Sequence, residues 1–292
     1  MSRNCKIINY FIILQLVKFD RSKARKIFLK FADYLEHPFD EIALILSRDI
    51  PNIFELINDN IKINAESVLD IEKNGNIIYY EDFDAPTSIF STTESPIVVF
   101  YQGNKQLLYE KSISVVGTRR PTEKGVYNAE RIAKFLMNNQ ITVVSGLAEG
   151  IDYITQYTCA DYNYKKLIAV IGTPISKYYP IKNKKLQEYI KLEGLLVSEY
   201  ANFENTMKWN FLRRNYLMSS ISNATIVIEA GDTSGTVSQA RSTLKNGKPL
   251  FVPNNVFENP ENSWPIKFRN VFNNVYKFSS YEELKILITR NL

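Results

Sequence analysis

Apolar residues fall along this chain in two different rhythms. Over the first seventy or so positions they recur every three or four residues: Ile8, Phe11, Ile12 and Leu16, then Ala24, Ile27, Phe28 and Phe31, then Ala43, Leu44 and Leu46. That period matches the turn of an α-helix, so these stretches predict amphipathic helices. Pro38 and Pro51 punctuate them, since proline lacks a backbone donor and ends a helix. The pattern predicts a small helical domain over residues 1–75.

From Asn76 the rhythm changes. Ile77-Ile78-Tyr79-Tyr80 and Ile97-Val98-Val99-Phe100-Tyr101 are short β-type runs. Apolar strands are then predicted at 112–116, 141–144, 167–171, 195–198, 225–228 and 249–252. Between the first pair, Val126, Ala129, Ile132, Ala133 and Leu136 share one helix face. Buried runs alternating with helices about thirty residues apart predict βαβ units and a parallel sheet. Ile168-Ala169-Val170-Ile171 shows no polar alternation, as expected of a strand covered on both faces. The predicted fold class is α/β: a Rossmann-like, mostly parallel sheet with flanking helices over residues 76–292, preceded by the helical domain.

Composition narrows the chemistry. The 292 residues carry 36 Lys+Arg against 31 Asp+Glu, a net charge of +5, with 45% hydrophobic and 23% charged residues. This ordinary balance excludes wholesale disorder. Two cysteines, Cys5 and Cys159, cannot build a disulfide framework or a four-thiolate zinc site. One histidine, His37, leaves nearly no scope for a multi-histidine metal centre or a Ser-His-Asp triad; beside Pro38 it reads as a loop residue. No metal, cofactor or catalytic residue is expected. No run of about 18 apolar residues exists, so no membrane span is expected. The apolar run 7–17 follows Arg3 and Lys6 but lacks a small-residue cleavage site, and reads as a helix of a cytoplasmic protein. The cluster Arg21, Lys23, Arg25, Lys26 and Lys30 reads either as a solvated helix face or as a nucleic-acid contact.

The candidate chemistry lies after the strands. Gly117-Thr118-Arg119-Arg120 follows the first of the six, and Ser145-Gly146-Leu147-Ala148-Glu149-Gly150-Ile151-Asp152 the second. Gly172-Thr173-Pro174, Glu199-Tyr200, the segment from Glu229 to Thr236, and Pro253-Asn254 follow the others. Open parallel sheets bind ligands beyond the carboxyl ends of their strands. Glycines there let backbone N–H groups approach a ligand. Ser234, Gly235 and Thr236 stand where a helix should begin, offering N–H donors and a dipole to an anion. Each loop alone is an ordinary turn or cap; together they predict a phosphate-binding cleft. It is neither a P-loop nor a G-x-G-x-x-G fingerprint.

In order and spacing these residues resemble the DNA-processing protein A (DprA/Smf) family. The likeness is carried by Ser114-Val115-Val116-Gly117-Thr118-Arg119, by the run from Val144 to Asp152, by Tyr179-Pro180 with Asn183 and Leu186, and by Ser198-Glu199-Tyr200. Phe211-Leu212-Arg213-Arg214-Asn215 and Glu229-Ala230 with Ser234-Gly235-Thr236 continue it, so it covers roughly residues 75–280. With Leu292 as the last residue, the winged helix that some members carry is not expected. The resemblance implies single-stranded DNA binding in a basic pocket, homodimerisation, and loading of the RecA recombinase in natural transformation. It places Arg119 in the family's Gly-Ser-Arg motif and Arg214 and Asn215 in its Arg-Asn-Arg motif. The expected DNA- and phosphate-binding residues are Gly117, Thr118, Arg119, Ser145, Gly146, Gly150, Asp152, Lys177, Lys184, Arg213, Arg214, Asn215, Ser234, Gly235 and Thr236.

Three departures stand out. Glu149 replaces the arginine of the family's Ala-Arg-Gly, Tyr216 ends the Arg-Asn-Arg motif, and Gln156 stands where a histidine is common. Lys177, Lys182, Lys184 and Lys185 are available to restore the lost charge. Two alternatives stay open: a nucleotide-binding sensor, and a nucleoside-monophosphate phosphoribohydrolase of the same superfamily. The latter's loop, Gly-Gly-x-Gly-Thr-x-x-Glu, ends in a carboxylate where this chain has Gln239, and an amide cannot act as a general acid or base near neutrality. Glu149, Asp152, Glu199 and Asp232 remain as carboxylates near the predicted cleft.

Overall fold

The computed structural model describes residues 2–232 and 234–292. The chain divides into two compact units, Met1–Phe100 with Glu199–Glu204, and Tyr101–Ser198 with Asn205–Leu292.

The first unit is built on the helices α1 (Ser2–Leu16), α2 (Arg21–Lys30), α3 (Phe39–Leu46) and α4 (Asp59–Glu66). Asp20 caps α2 by accepting from the Lys23 amide at 2.9 Å, and Asn58 caps α4 by accepting from Ile61 at 3.1 Å. Such caps satisfy amides that have no partner inside the helix. The apolar run of α1 is buried through Ile7, Phe11, Ile13 and Leu14. Its two polar interruptions bond to neighbouring backbone. Asn9 donates to the Leu35 and His37 carbonyls, each at 2.9 Å, and Gln15 donates to Phe11 and Ile61. His37 is exposed beside Glu41, as a loop residue should be. The strand β1 (Asn76–Tyr79) belongs to this unit, and β2 (Val98–Gly103) begins in it.

Arg21 is the electrostatic centre of the first unit. Its guanidinium, 6% exposed, reaches Glu204 at 2.7 Å and Glu199 at 3.5 Å. It also lies 4.6 Å from the Tyr200 ring centroid. Burial works against its charge, but Glu204 and Glu199 outweigh burial and hold Arg21 well above the usual arginine range. The other members of its basic cluster are dispersed. Arg25 donates to the Thr92 carbonyl at 3.3 Å, and Lys30 pairs with Asp49 at 2.7 Å. Arg21 is therefore internal and drops out of the cluster's exposed charge, while Lys23, Lys26 and Lys30 remain on the surface.

The second unit carries seven parallel strands. They are β3 (Ser112–Val116), β4 (Thr142–Ser145), β5 (Leu167–Ile171), β6 (Leu195–Ser198), β7 (Ala224–Val227), β8 (Leu250–Pro253) and β9 (Val275–Phe278). Their spatial order is β6-β5-β4-β3-β7-β8-β9. Ile113 faces Val143 on one side and Ala224 on the other, and Val144 faces Ile168. The main intervening helices are α5 (Glu123–Asn138), α6 (Ile151–Asp161), α7 (Lys184–Glu193), α8 (Lys208–Ile221) and α9 (Gly235–Lys245). A last helix, α10 (Tyr281–Asn291), follows β9.

Three strand positions shift by one residue from the pattern. The clearest is β4, which takes in Ser145, read from sequence as the first loop residue. Ser145 pairs with Ala169 in the sheet, and its hydroxyl donates to the Val115 carbonyl at 2.7 Å. A polar residue can thus end a buried strand when its side chain is bonded. β9 is absent from the sequence reading because only Val275 and Phe278 of its four residues are buried. Among the described residues, no helix is long and apolar enough to cross a membrane.

Arg21→Ala would leave Glu199 and Glu204 buried without their cation. Breaking such a buried pair costs about 3–5 kcal/mol, and urea denaturation should show a loss of that size. A loss below about 1 kcal/mol would match an exposed pair and contradict this geometry.

Candidate functional site

The chain leaves β3 toward β4 and later returns to β7 on the other side of β3. The loops after β3 and β7 therefore diverge, and a crevice opens where strand order reverses. The Thr118 amide donates to the Glu229 carbonyl at 2.7 Å, joining the two loops at their base. The Glu229 carboxylate accepts from the Thr122 hydroxyl at 3.0 Å and from its amide at 3.2 Å. Above this clasp lies a cleft of ≈ 740 Å³. A side chamber of ≈ 220 Å³ shares Arg119, Arg120, Ala148, Tyr179, Phe211 and Arg214 with it.

Glycine makes the walls possible. Gly150 has φ of 75°, and a side chain there would strike the Thr118 carbonyl. It lets α6 begin against the Arg119 corner, where the Ile151 amide donates to the Thr118 carbonyl at 3.2 Å. At Gly146 a Cβ would meet the guanidinium of Arg214. Arg214 is 6% exposed and donates to the Val170 carbonyl at 3.1 Å. Beside it Asp152 is buried and accepts from the Gly146 amide at 3.1 Å. Burial pushes the Asp152 carboxyl above its usual range, while the Arg214 charge and the Gly146 and Ala148 amides pull it back.

The mouth is more open and more basic. Arg119, Arg120 and Lys208 are exposed cations lining the cleft. The N-terminus of α9 opens into it through Ser234, Gly235 and Thr236. Ser234 caps that helix by accepting from the Thr236 amide at 3.2 Å. A Cβ added at Gly235 would meet nothing within 4 Å beyond its own helix and chain neighbours among the described residues, so the helix end faces open space. Tyr179 and Phe211 stand 5.1 Å apart on the wall and add aromatic faces.

Ten of the fifteen expected residues line the cleft or its side chamber: Gly117, Thr118, Arg119, Gly146, Asp152, Arg214, Asn215, Ser234, Gly235 and Thr236. Ser145, Gly150, Lys177, Lys184 and Arg213 are not among the lining residues. Ser145 is a strand residue, Gly150 acts by backbone packing, and the Lys184 ammonium lies 4.8 Å from the Tyr178 ring centroid. Sequence reading passed over Lys208, and took Tyr179, Phe211 and Leu212 only as marks of family likeness. The signal for Lys208, Phe211 and Leu212 was the apolar and basic content at the start of α8; Tyr179 lies ahead of α7 and had no such marker.

The departures resolve individually. Glu149 pairs with Lys182 at 3.0 Å on the side chamber, rather than with an arginine. Gln156 is fully buried; its amide donates to the Ile168 carbonyl at 3.0 Å and accepts from the Leu147 amide at 3.2 Å. Tyr216 is not among the lining residues.

A family model for DNA recombination-mediator protein A matches residues 76–265. The DNA processing protein DprA of Streptococcus pneumoniae is 34% identical over 174 residues, covering 59% of this chain and 61% of that protein. Its Bacillus subtilis counterpart is 31% identical over 199 residues, covering 67% of this chain and 66% of that protein. The chain thus matches less than two thirds of the length of these relatives. In solved structures, the fold is similar to Streptococcus pneumoniae DprA, with a TM-score of 0.76, 24% identity, and coverage of 95% of this chain and 97% of that one. It is also similar to Helicobacter pylori DprA, whose structure describes a single-stranded DNA binding mode. There the TM-score is 0.65 at 26% identity, covering 75% of this chain and 100% of that one. The matched segment takes in every residue of the switch-point cleft, from Val116 to Gln239, and the chain belongs to the DNA recombination-mediator protein A family, the DprA/Smf proteins.

Proposed function

We propose that the switch-point cleft binds the backbone of single-stranded DNA, and that the protein delivers that strand to the RecA recombinase as a homodimer in recombination or natural transformation. The observation that carries the DNA reading is the convergence of Arg119, Arg120, Lys208 and the α9 N-terminus on one cleft with aromatic walls. Phosphates suit arginine forks and helix N-termini, and unstacked bases suit ring faces. The binding mode described for the Helicobacter pylori relative supports the same reading. RecA and the second copy rest on family membership.

Binding rather than hydrolysis is the role proposed for this cleft, because the carboxylates that the sequence offers for chemistry already have structural work. Asp152 holds the Gly146 amide, Glu149 pairs with Lys182, and Glu199 is engaged by Arg21. Asp232 accepts from the Ser263 amide at 2.8 Å and the Trp264 amide at 3.1 Å. Incubation with AMP should release no adenine.

Arg119→Ala and Lys208→Ala remove exposed cations and leave the buried Arg214 untouched. Each should weaken oligo-dT binding roughly fivefold, about 1 kcal/mol. Each should also lower the slope of log affinity against log salt by about 0.7, the value per neutralised phosphate on a single strand. The loss should be alike for oligonucleotides of different sequence, because phosphate contacts carry no sequence code. Unchanged affinity and slope in both variants would rule out this cleft.

Glu149→Gln should tighten the same binding. The substitution releases Lys182, which adds one net positive charge to the rim. An exposed pair contributes about 0–1 kcal/mol to stability, so the melting temperature should barely move. A salt series should show a steeper slope for the variant; weaker binding would mean that the pair positions the loop for DNA.

A further inference from the structure

One side chain on the cleft wall has hydrogen-bonding capacity that the described residues leave unused. Gln239 lines the cleft and is only 1% exposed. Neither Nε2 nor Oε1 of its amide has a hydrogen-bond partner among the described residues. A buried amide without partners is costly, and most such groups in folded proteins are satisfied. The contrast with Gln156, whose amide is satisfied at both ends, shows what a purely structural glutamine does in this fold.

Its position restricts what could satisfy it. Gln239 lies four residues after Gly235 in α9, about 6 Å along the axis at 1.5 Å per residue. Side chains on a helix lean toward its N-terminus, so this amide leans back toward the end that opens into the cleft. It is shielded there, and a rotation between staggered wells of its own side chain would present it to a ligand. A phosphate at the α9 N-terminus would accept from Nε2 but leave Oε1 without a donor. The complementary group must carry a donor and an acceptor side by side. The Watson–Crick edge of a nucleobase carries both, and only an unpaired base has that edge available.

We infer that Gln239 hydrogen-bonds the Watson–Crick edge of an unpaired base in the cleft, so that the site reads a base edge as well as a phosphate. This inference rests on the single-stranded DNA reading of the cleft and deepens it. The phosphate lies at the α9 N-terminus and the basic mouth, a ring face at Tyr179 and Phe211, and the polar base edge at Gln239. The same contact disfavours duplex DNA, whose Watson–Crick edges are occupied.

The test compares a dodecamer of thymidine with one in which every base is N3-methylthymine. The methyl group removes the N3–H donor while keeping the phosphates and the ring faces. Fluorescence anisotropy should show wild-type protein binding the unmodified strand roughly tenfold more tightly. Gln239→Leu and Gln239→Met should bind both strands alike, near the wild-type affinity for the methylated one. Without DNA, both variants should melt at or above the wild-type temperature, since the unpaired amide is gone. Two results would overturn the inference: wild-type protein that does not distinguish the strands, or variants that keep the wild-type ratio. A lowered melting temperature in both variants would also overturn it, assigning the amide to the fold through a bridging water. Wild-type protein that binds neither strand would instead bring down the DNA reading itself.

Discussion

The reversal of strand order at β3 is the constraint on which the site depends. In a parallel sheet every strand delivers its following loop to the same edge, and neighbouring loops normally run in one direction and cover one another. Here β4 and β7 lie on opposite sides of β3, so the loops beginning at Gly117 and Ile228 turn away from each other. Right-handed crossovers then carry the following helices to opposite faces of the sheet. The opening between those loops is a consequence of topology. What the sequence must add is small residues so that the backbone reaches the opening, and charge so that an anion prefers it.

Those two additions meet at Arg214. The guanidinium occupies the space that any side chain at position 146 would need, and the Val170 carbonyl holds it from below. Its neighbour Asp152 compensates its charge and is itself fixed to the Gly146 amide. A cation held this way has little rotamer freedom left to lose when an anion arrives. Arg119, Arg120 and Lys208 are exposed at the mouth and must be ordered on binding. The cleft therefore combines a rigid floor with an adaptable rim, an arrangement suited to a flexible strand whose phosphates have no fixed spacing.

Much of this was legible in the chain and some was not, for reasons of range. Strand runs such as 167–171 identify themselves because burial on both faces removes polar alternation. The same logic hides β9, whose Tyr276 and Lys277 are less buried. The glycine and hydroxyl loops were visible because their chemistry is local: Ser234 caps the helix that it begins. Lys184 and Lys208 could not be distinguished in sequence, since nothing within a few residues says that one lies by Tyr178 and the other on the cleft. Arg21 is the extreme case. It sits in a run of basic residues, yet its partners Glu199 and Glu204 lie far along the chain. A charge cluster reports solvation only if nothing distant claims its members.

The departures from the family pattern sort by the same principle. Gln156 bridges a strand carbonyl and a loop amide, so a hydrogen-bonding role at that position is fulfilled without the charge that a histidine could carry. Glu149 reverses a charge at the rim, and Lys182 meets it there, so the pair is locally neutral and the loop keeps a contact. Such a pair, half-exposed on both sides, is weak against salt and against a polyanion. A phosphate approaching this rim competes for Lys182 with a carboxylate already in contact, whereas the deeper cation faces a carboxylate that is itself bonded to backbone. The outer rim therefore holds a cation that a neighbouring carboxylate already engages, whereas at the floor the Arg214 guanidinium fills the space that a side chain at position 146 would need, which leaves that position little room for change.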